Sequence, residues 1–411
     1  MTTFATYSAA SIRAFQPGSG ELKYRQTLDA PNPTLNGTFG HVVAMSTDGT
    51  YLLATEPYIA SLSGTRTPQA HIYTQNQDTL VYQLQSTLTP SSNNVGFGYS
   101  GDINQYGNVV VVGDVFANVG ANSGAGSATV FTRSGNTWTQ LQTLTANTPI
   151  TNEAFGYSSA ISHSGNYIVV GSLSNNKNVY VFAKSGNTYV QQAKLNPSAN
   201  GNGFGSSVSI NPNENFIAVG APQDTNPSPN NRGTSAGAVY VFNRSGNTWT
   251  QIAKAIPPTI QNNQNFGTSV NIGDDGLGNA QMLYMGSPGT NPDGVIYSSI
   301  GPNWTTVGGG GITGVGRSMD VSQTYGGNID YGKVIFGGVE VAKTNSNWEF
   351  GGTTYNLVPG NVNLAGTEYG KSVTISETAY QAAVGAPYAN VGNAYIGIDE
   401  KAGSVYIFTI Y

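Results

Sequence analysis

The sequence predicts an all-β fold: a seven-bladed β-propeller of four-stranded antiparallel blades, closed by an N-terminal strand that completes the last blade. The main observation is a recurring aromatic-Gly pair, Val-Gly in the sixth copy, that opens repeats near residues 39, 97, 155, 204, 266, 315 and 369. Subtraction gives spacings of 58, 58, 49, 62, 49 and 54 residues. A period of about fifty residues that holds several strands is typical of a propeller, with one blade per repeat.

The composition also favours strands and turns. The chain of 411 residues contains 54 Gly, 24 Tyr and 15 Phe, and only 9% of its residues are charged. Aromatic residues are enriched in strands and Gly in turns, whereas a helical bundle would be rich in Glu, Lys and Leu.

The clearest repeat begins at Phe204 and predicts the order of strands in a blade. Its first strand is predicted at 206–210 and its second, apolar on both faces, at 216–220. The third strand is predicted at 238–242 and the fourth, with polar alternation, at 248–254. A Ser-Gly-Asn turn joins the third and fourth strands as a hairpin.

Two repeats match this pattern less well. The fifth keeps an apolar strand at 282–288 and an aromatic at Trp304, and the sixth keeps strands at 333–338 and 353–358. The run Gly308–Gly311 leads into the sixth repeat. It precedes no Lys-Ser/Thr pair, so it does not predict a phosphate-binding loop.

The two ends of the chain predict how the ring closes. The seventh repeat stops after its third strand, and residues 21–31 resemble a fourth strand. We therefore expect them to complete the last blade and remove an open edge. Leu22, Tyr24 and Leu28 would anchor this closure, each contributing about 1.5–3 kcal/mol if fully buried.

Residues 1–20 fall outside the predicted ring. They carry Phe4, Tyr7, Ile12 and Phe15 among small polar residues. One interpretation is a flexible tail. The other is an arm that makes an assembly contact on a neighbouring subunit.

The motifs FGSSVSI…FIAVGAP…GAVYVF and YGKSVTI…AAVGAP…GSVYIF resemble the FG-GAP repeat family, whose repeats form the propeller heads of integrin alpha subunits and of many surface proteins. The resemblance covers residues 21–411 and implies a propeller with a general role in adhesion or assembly. It does not imply a particular ligand.

The same resemblance implies a calcium loop between the first and second strands of some repeats. Its nearest match places Asn271, Asp275 and Asn279 at ligand positions, where oxygen ligands suit a hard cation. The third position is Gly273, which offers no side-chain oxygen. A plain Asp-Gly turn is the alternative interpretation, and no other cofactor is predicted.

No catalytic constellation emerges from residue spacing. The three histidines, His41, His71 and His163, come from separate repeats. The adjacent acidic pairs at 274–275 and 399–400 lie in predicted loops, where solvation is the simpler interpretation. On this basis we predict that the protein is not an enzyme.

Charge and cysteine content exclude several classes of partner and site. The formal net charge is −5 and the 16 Lys and Arg are scattered, which disfavours nucleic acid. The absence of Cys excludes disulfides and thiolate zinc sites. No apolar run has membrane-spanning length, and residues 1–20 lack a standard signal pattern.

These observations predict a non-enzymatic structural protein: a virion surface or tail component, or a subunit of an extracellular filament. Its partners would be copies of itself or other structural subunits, contacted through the N-terminal arm and the propeller faces. The alternative is a surface adhesin or lectin-like propeller that binds a host-surface glycan or protein through long loops at 114–126, 222–237 and 387–403. Both interpretations predict location on a virion or extracellular surface.

Overall fold

The computed structural model describes most of the chain between residues 22 and 410. The described ranges are 22–32, 38–57, 67–90, 96–173, 178–198, 201–225, 233–257, 260–274, 281–287, 294–300, 305–311, 318–321, 334–337, 347–350, 353–356, 370–376, 381–387, 390–393, 398–401 and 403–410. Within these ranges the regular structure is all strand, and no helix is long and apolar enough to cross a bilayer.

In the described residues the strands form seven four-stranded antiparallel sheets, called blades 1 to 7 below. Blades 1 to 3 contain β2 Val43–Met45, β3 Tyr51–Glu56, β4 Gln69–Gln75 and β5 Tyr82–Leu88; β6 Phe97–Ile103, β7 Val109–Asp114, β8 Ser127–Ser134 and β9 Thr137–Leu144; and β10 Phe155–Ile161, β11 Tyr167–Ser172, β12 Val179–Ser185 and β13 Thr188–Leu195.

Blades 4 to 6 follow the same order. They contain β14 Ser207–Ile210, β15 Phe216–Ala221, β16 Ala238–Ser245 and β17 Thr248–Ala255; β18 Val270–Asp274, β19 Gln281–Met285, β20 Gly294–Ile300 and β21 Thr305–Gly311; and β22 Ser318–Val321, β23 Val334–Gly337, β24 Asn347–Phe350 and β25 Thr353–Asn356.

Blade 7 combines the two ends of the chain. It contains β26 Ser372–Ile375, β27 Gln381–Ala386, β30 Ser404–Ile410 and, as its outer strand, β1 Leu22–Asp29. The predicted closure is confirmed, because β1 pairs with β30 and places Leu22 opposite Ile410, Tyr24 opposite Phe408 and Leu28 opposite Val405. The Leu28 side chain is buried, and the Tyr24 ring lies 6.0 Å from that of Phe408.

The innermost strands arrange the blades around one axis. Strands β2, β6, β10, β14, β18, β22 and β26 contact one another in that order, and β26 contacts β2. Cyclic contact between first strands is the arrangement that a propeller requires.

The aromatic of each opening pair packs between strands rather than at the surface. Phe39, Phe97, Phe155 and Phe266 are fully buried. The rings of Phe39, Phe97 and Phe155 meet aromatics of the third strands: the Phe155 ring, for example, lies 5.3 Å from that of Tyr180. The second strands are buried along nearly their whole length, in agreement with their apolar sequence.

The predicted Ser-Gly-Asn hairpins form with two-residue loops. Strand β8 ends at Ser134 and β9 begins at Thr137. Gly135, Gly186 and Gly246 have φ values of 58°, 62° and 60° at the first loop position. A two-residue hairpin with Gly there matches the twist of the flanking strands.

Two predictions of local structure were wrong. The run Gly308–Gly311 does not lead into blade 6 but belongs to β21, where it pairs with 294–297 of β20. The stretch 387–403 is not wholly a loop, because β28 Asn390–Asn393 and β29 Ile398–Lys401 form a small two-stranded sheet there. Backbone pairing decided both cases, and neither stretch has the alternation of apolar residues that signals a strand.

Candidate functional site

Serine hydroxyls in the innermost strands hold neighbouring blades in register. Ser100 Oγ donates to the carbonyl oxygen of Gly156 at 2.8 Å, and Ser158 Oγ donates to that of Gly205 at the same distance. In each case the acceptor is the Gly of the next blade's opening pair. The Ser and the Gly therefore link two neighbouring blades at their contact, which is called a seam below. The residues that come after the Ser in each innermost strand lie around the axis.

Those residues line an axial cavity of about 240 Å³. Three consecutive residues of β2, β6, β10, β14 and β26 contribute, together with two of β18. Thr47, Gln105 and His163, from the turns that follow the first strands of blades 1 to 3, also line it. The cavity therefore lies toward the end of the disc where the innermost strands finish.

Asp102 supplies a carboxylate to the cavity wall and is held rigidly. Its Oδ1 accepts a hydrogen bond from the Ile103 backbone N–H at 2.8 Å, and its Oδ2 accepts one from the Ile161 backbone N–H at 2.9 Å. The second bond crosses from blade 2 to blade 3. Backbone donors to both oxygens favour the charged form of the carboxyl group.

Ser209 makes the corresponding contact two seams further along. Its Oγ accepts a hydrogen bond from the Ile272 backbone N–H at 3.1 Å, crossing from blade 4 to blade 5. Asp102 and Ser209 thus occupy equivalent positions and satisfy the same backbone donor, but only Asp102 brings a charge into the cavity.

His163 lies in the turn between β10 and β11. Its backbone carbonyl accepts hydrogen bonds from the Gln105 N–H at 3.3 Å and from Asn104 Nδ2 at 3.5 Å. His163 is half-buried and lines the cavity, and its backbone is anchored on blade 2. An imidazole is the side chain best suited to exchange a proton near neutral pH.

An arc of aromatic rings lies where the innermost strands begin. The His41 ring is 5.4 Å from that of Tyr99, which is 5.1 Å from that of Tyr157. Burial, and then the charge of Lys371, lowers the pKa of His41 to about 3, so this imidazole is neutral near pH 7. Burial and the neighbouring Tyr157 raise the pKa of Tyr99. None of these rings lines the cavity.

Two fully buried carboxylates also lie outside the cavity lining. Glu153 accepts hydrogen bonds from Asn178 Nδ2 at 2.7 Å and from the Tyr180 hydroxyl at 2.5 Å. Asp224 accepts one from the Tyr240 hydroxyl at 2.6 Å and pairs with Lys254 Nζ at 2.9 Å. Both acids tie the third strands of their blades to nearby loops.

The structure separates the three histidines and the predicted metal ligands. His71 is buried in β4, where Nδ1 is 3.1 Å from Thr87 Oγ1 and Nε2 is 3.5 Å from Glu56. Asn271 lies in β18 opposite Tyr284 and lines the cavity, whereas Asp275 and Asn279 lie outside the described residues. No group of three metal-binding side chains occurs among the residues that the structure describes.

The predicted assembly residues Phe4, Tyr7, Ile12 and Phe15 also lie outside the described residues. The closure residues Leu22, Tyr24 and Leu28 lie in β1, which belongs to blade 7 and does not line the cavity.

Sequence reasoning missed Asp102, Ser209 and Thr374 as residues of one site. They come from blades 2, 4 and 7, so no local spacing connects them. A signal was nevertheless present, since each stands at the same position after its opening pair, as does Asn271. An alignment of the repeats would have shown that these residues share one position and therefore belong to one site.

The family model described as FG-GAP repeat matches residues 138–191 and 189–242, which cover β9 to β16. The chain carries FG-GAP repeats. The resemblance predicted from its motifs is thereby confirmed, and the four-stranded antiparallel sheets agree with it. No curated protein is significantly similar in sequence.

Among solved structures, the chain is similar to a "putative 6-phosphogluconolactonase" from Bacteroides fragilis. The identity is 14% and the TM-score 0.51, over 77% of this chain and 83% of that one. A protein of the same description from Bacteroides uniformis matches with 13% identity and a TM-score of 0.51, over 77% and 84% of the two chains. At these identities the likeness shows the propeller fold.

These comparisons overturn the prediction of a non-enzymatic structural protein and its adhesin alternative, because the solved chains with this fold carry an enzyme description. The physical error lay in treating residue spacing as evidence against a site. Around a propeller axis, side chains from separate blades converge, as Asp102 and His163 do in the cavity. Histidines in separate repeats therefore do not argue against catalysis.

Proposed function

We propose that this chain is a small-molecule hydrolase that binds a lactone in the axial cavity and opens its ring. The single observation that carries the proposal is that His163 and Asp102, from two different blades, line the same cavity. The enzyme description of proteins with the same fold supports the choice of reaction.

The cavity volume supports a small substrate. Pockets for drug-sized ligands enclose about 300–1,000 Å³. A cavity of about 240 Å³ suits a single sugar-sized ring. The lining exposes mostly polar atoms, because Ile103, Ile161 and Ile210 are buried in the hydrophobic clusters of their blades. Such a surface can contact the hydroxyl groups of a sugar.

In the proposed reaction His163 acts as a general base. The imidazole removes a proton from a water molecule, whose oxygen forms a bond to the lactone carbonyl carbon. The bond between that carbon and the ring oxygen then breaks, and the proton passes from the imidazole to the departing oxygen. The product is a hydroxy acid, and no other reactant is required.

Asp102 is assigned a positioning role because of its own hydrogen bonds. Both of its oxygens already accept backbone N–H groups, which fix its position in the cavity wall. In the proposed complex the carboxylate accepts hydrogen bonds from substrate hydroxyls.

The test is hydrolysis of glucono-δ-lactone by the full chain, followed as acid release above the spontaneous rate. The informative variant is His163→Gln, because Gln105 occupies the equivalent turn position in blade 2. The matched control is Tyr106→Gln, which introduces the same residue in the turn of blade 2 at an exposed position outside the cavity lining and keeps His163.

Loss of a general base typically costs 10²–10⁴-fold in rate, so we expect His163→Gln to lose at least about 100-fold in kcat. Tyr106→Gln should keep most of the activity, because this side chain does not line the cavity. Acid release no faster than the spontaneous rate with the wild-type chain, or equal losses in the two variants, would refute the proposal.

A further inference from the structure

We infer that the cavity selects uncharged sugar rings and rejects their phosphorylated forms, with Asp102 as the residue that determines this selectivity. The inference rests on the proposed function for its reaction. It concerns the charge of the ligand, which can also be tested by binding alone. It differs from the substrate that the description of the similar structures implies.

The first argument is the absence of a cation. No Lys or Arg occurs among the described residues that line the cavity. Sites that recognise phosphate esters use Arg, Lys, metal ions or the N-termini of helices to balance the charge. A phosphate monoester carries about −1.5 to −2 charge near pH 7, which this lining would leave unbalanced.

The second argument is the fixed negative charge of Asp102. The two backbone N–H groups that hold its oxygens come from different blades, so the carboxylate cannot turn away without breaking a bond of the seam. A phosphate in the same cavity would therefore face a like charge in a partly desolvated space, where such repulsion is strong.

Two cations that the structure describes near this end of the disc, Arg133 and Arg244, are already engaged. Arg133 Nε donates to the Gly107 carbonyl at 2.8 Å, and its guanidinium lies 4.2 Å from the centre of the Tyr51 ring. Arg244 Nε donates to the Glu214 carbonyl at 2.7 Å and lies 4.9 Å from the Tyr167 ring. Neither residue lines the cavity.

Acidic side chains occupy two of the turns at the same end. Asp48 accepts hydrogen bonds from the Thr50 backbone N–H at 2.9 Å and from Ser46 Oγ at 2.6 Å. Ser164, next to His163, donates to the Glu214 carboxylate. These charges oppose the approach of an anion and leave a neutral ring unaffected.

The repeat itself provides a conservative way to remove the charge. Asp102→Ser places in blade 2 the residue that blade 4 has at Ser209, whose hydroxyl accepts the equivalent backbone N–H. The seam should therefore be kept while the charge is lost. Ser209→Asp is the reciprocal variant and adds a second carboxylate.

The experiment compares kcat/KM for glucono-δ-lactone and for its 6-phosphate, together with equilibrium binding of glucose and glucose 6-phosphate. We expect the wild-type chain to prefer the uncharged member of each pair by at least about 50-fold. Asp102→Ser should reduce that preference about 10-fold through improved use of the phosphorylated member. Ser209→Asp should increase it.

The outcomes separate the two proposals. Hydrolysis of the 6-phosphate equal to or better than that of the uncharged lactone overturns the inference and leaves lactone hydrolysis standing. An unchanged preference in Asp102→Ser overturns the role of that residue. Selective binding of glucose without hydrolysis of either lactone refutes the proposed reaction but supports the inference, and binding of neither sugar refutes both.

Discussion

Blades 7 and 1 meet where the two ends of the chain come together, whereas blades 2 and 3 are consecutive in sequence. The inner parts of these two seams are nevertheless alike. Ser372 Oγ donates to the Gly40 carbonyl at 3.0 Å in the first, and Ser100 Oγ donates to the Gly156 carbonyl at 2.8 Å in the second. The contact depends on the repeat and not on chain continuity.

The outer parts of the two seams are alike as well. The Gln26 side-chain amide donates to the Tyr82 carbonyl at 3.0 Å and accepts from its N–H at 2.9 Å. The Gln142 amide does the same with Tyr189, at 2.9 and 2.8 Å. The N-terminal strand thus carries the same contact residue as an ordinary outer strand, which explains why it completes the last blade.

The seam between blades 1 and 2 shows what changes when this motif is absent. Val42 stands where the other seams have a serine, and Thr55 replaces the glycine of the second strand. Thr55 Oγ1 accepts a hydrogen bond from the Val42 N–H at 3.1 Å. The hydroxyl has moved from one strand to its neighbour, which shows that the glycine is needed only where the serine is present.

The largest predicted effect comes from filling that glycine position. A Cβ at Gly385 would lie 2.0 Å from the Gly40 carbonyl oxygen and 2.5 Å from Ser372 Oγ, and a Cβ at Gly113 would lie 2.2 Å from the Gly156 carbonyl oxygen. Because backbone must move in both cases, we expect each Gly→Ala variant to lose about 4 kcal/mol of unfolding free energy or fail to fold.

Gly135→Ala is the control for that prediction. A Cβ added at Gly135 would meet no other atom within 4 Å. The φ of 58° at this position should therefore cost an alanine only about 1–2 kcal/mol of unfolding free energy. Denaturant unfolding of the three variants makes the comparison. A Gly385→Ala protein as stable as Gly135→Ala would show that the closing seam is not packed as described.

The next prediction compares blades 1 and 2 through the pH dependence of folding stability. His41 holds the position that Tyr99 holds in blade 2, and burial with the Lys371 charge lowers the pKa of His41 from 6.5 to about 3. Between these values the unfolded chain binds a proton that the folded chain does not, so folding stability falls as the pH falls.

From pH 7 to pH 5 this linkage should cost the wild-type protein about 2 kcal/mol relative to His41→Tyr. Unfolding free energies measured at both pH values provide the test. Identical pH dependence in the two proteins would mean that His41 takes up its proton over the same pH range in the folded and the unfolded chain.

The smallest effect tests the outer contacts. Gln26→Ala and Gln142→Ala each remove two hydrogen bonds to a neighbouring outer strand, and we expect each to cost about 1–2 kcal/mol. The informative result is the ratio of the two losses of stability. Equal losses in thermal unfolding would support the equivalence of the two seams, whereas a much larger loss for Gln26→Ala would mean that the closing strand depends on this contact alone.

Much of the fold could be predicted because the repeats contain the same local sequence signals. The opening aromatics, the apolar second strands and the Ser-Gly-Asn hairpins indicate the blade, and 21–31 show the pattern of an outer strand. The polyglycine strand β21 could not be predicted, because its register comes from pairing with β20 and not from its own side chains.

The candidate site was far less predictable. Asp102 and His163 lie in neighbouring blades and line one cavity because the innermost strands of those blades pack side by side around the axis. Their roles also depend on hydrogen bonds that cross the seams, such as the one from the Ile161 N–H to Asp102. Neighbouring residues along the chain do not indicate these bonds. An alignment of the repeats with one another does show the equivalent positions from which the bonds are made.

The three histidines of the chain allow the central claim to be measured directly. Imidazole nitrogen resonances would be recorded by NMR while glucose is added to the full-length protein. The axial site predicts that only the resonances of His163 shift, with those of His41 and His71 unchanged as internal references. No shift at His163, or a shift at His41 alone, would contradict the placement of the ligand in this cavity.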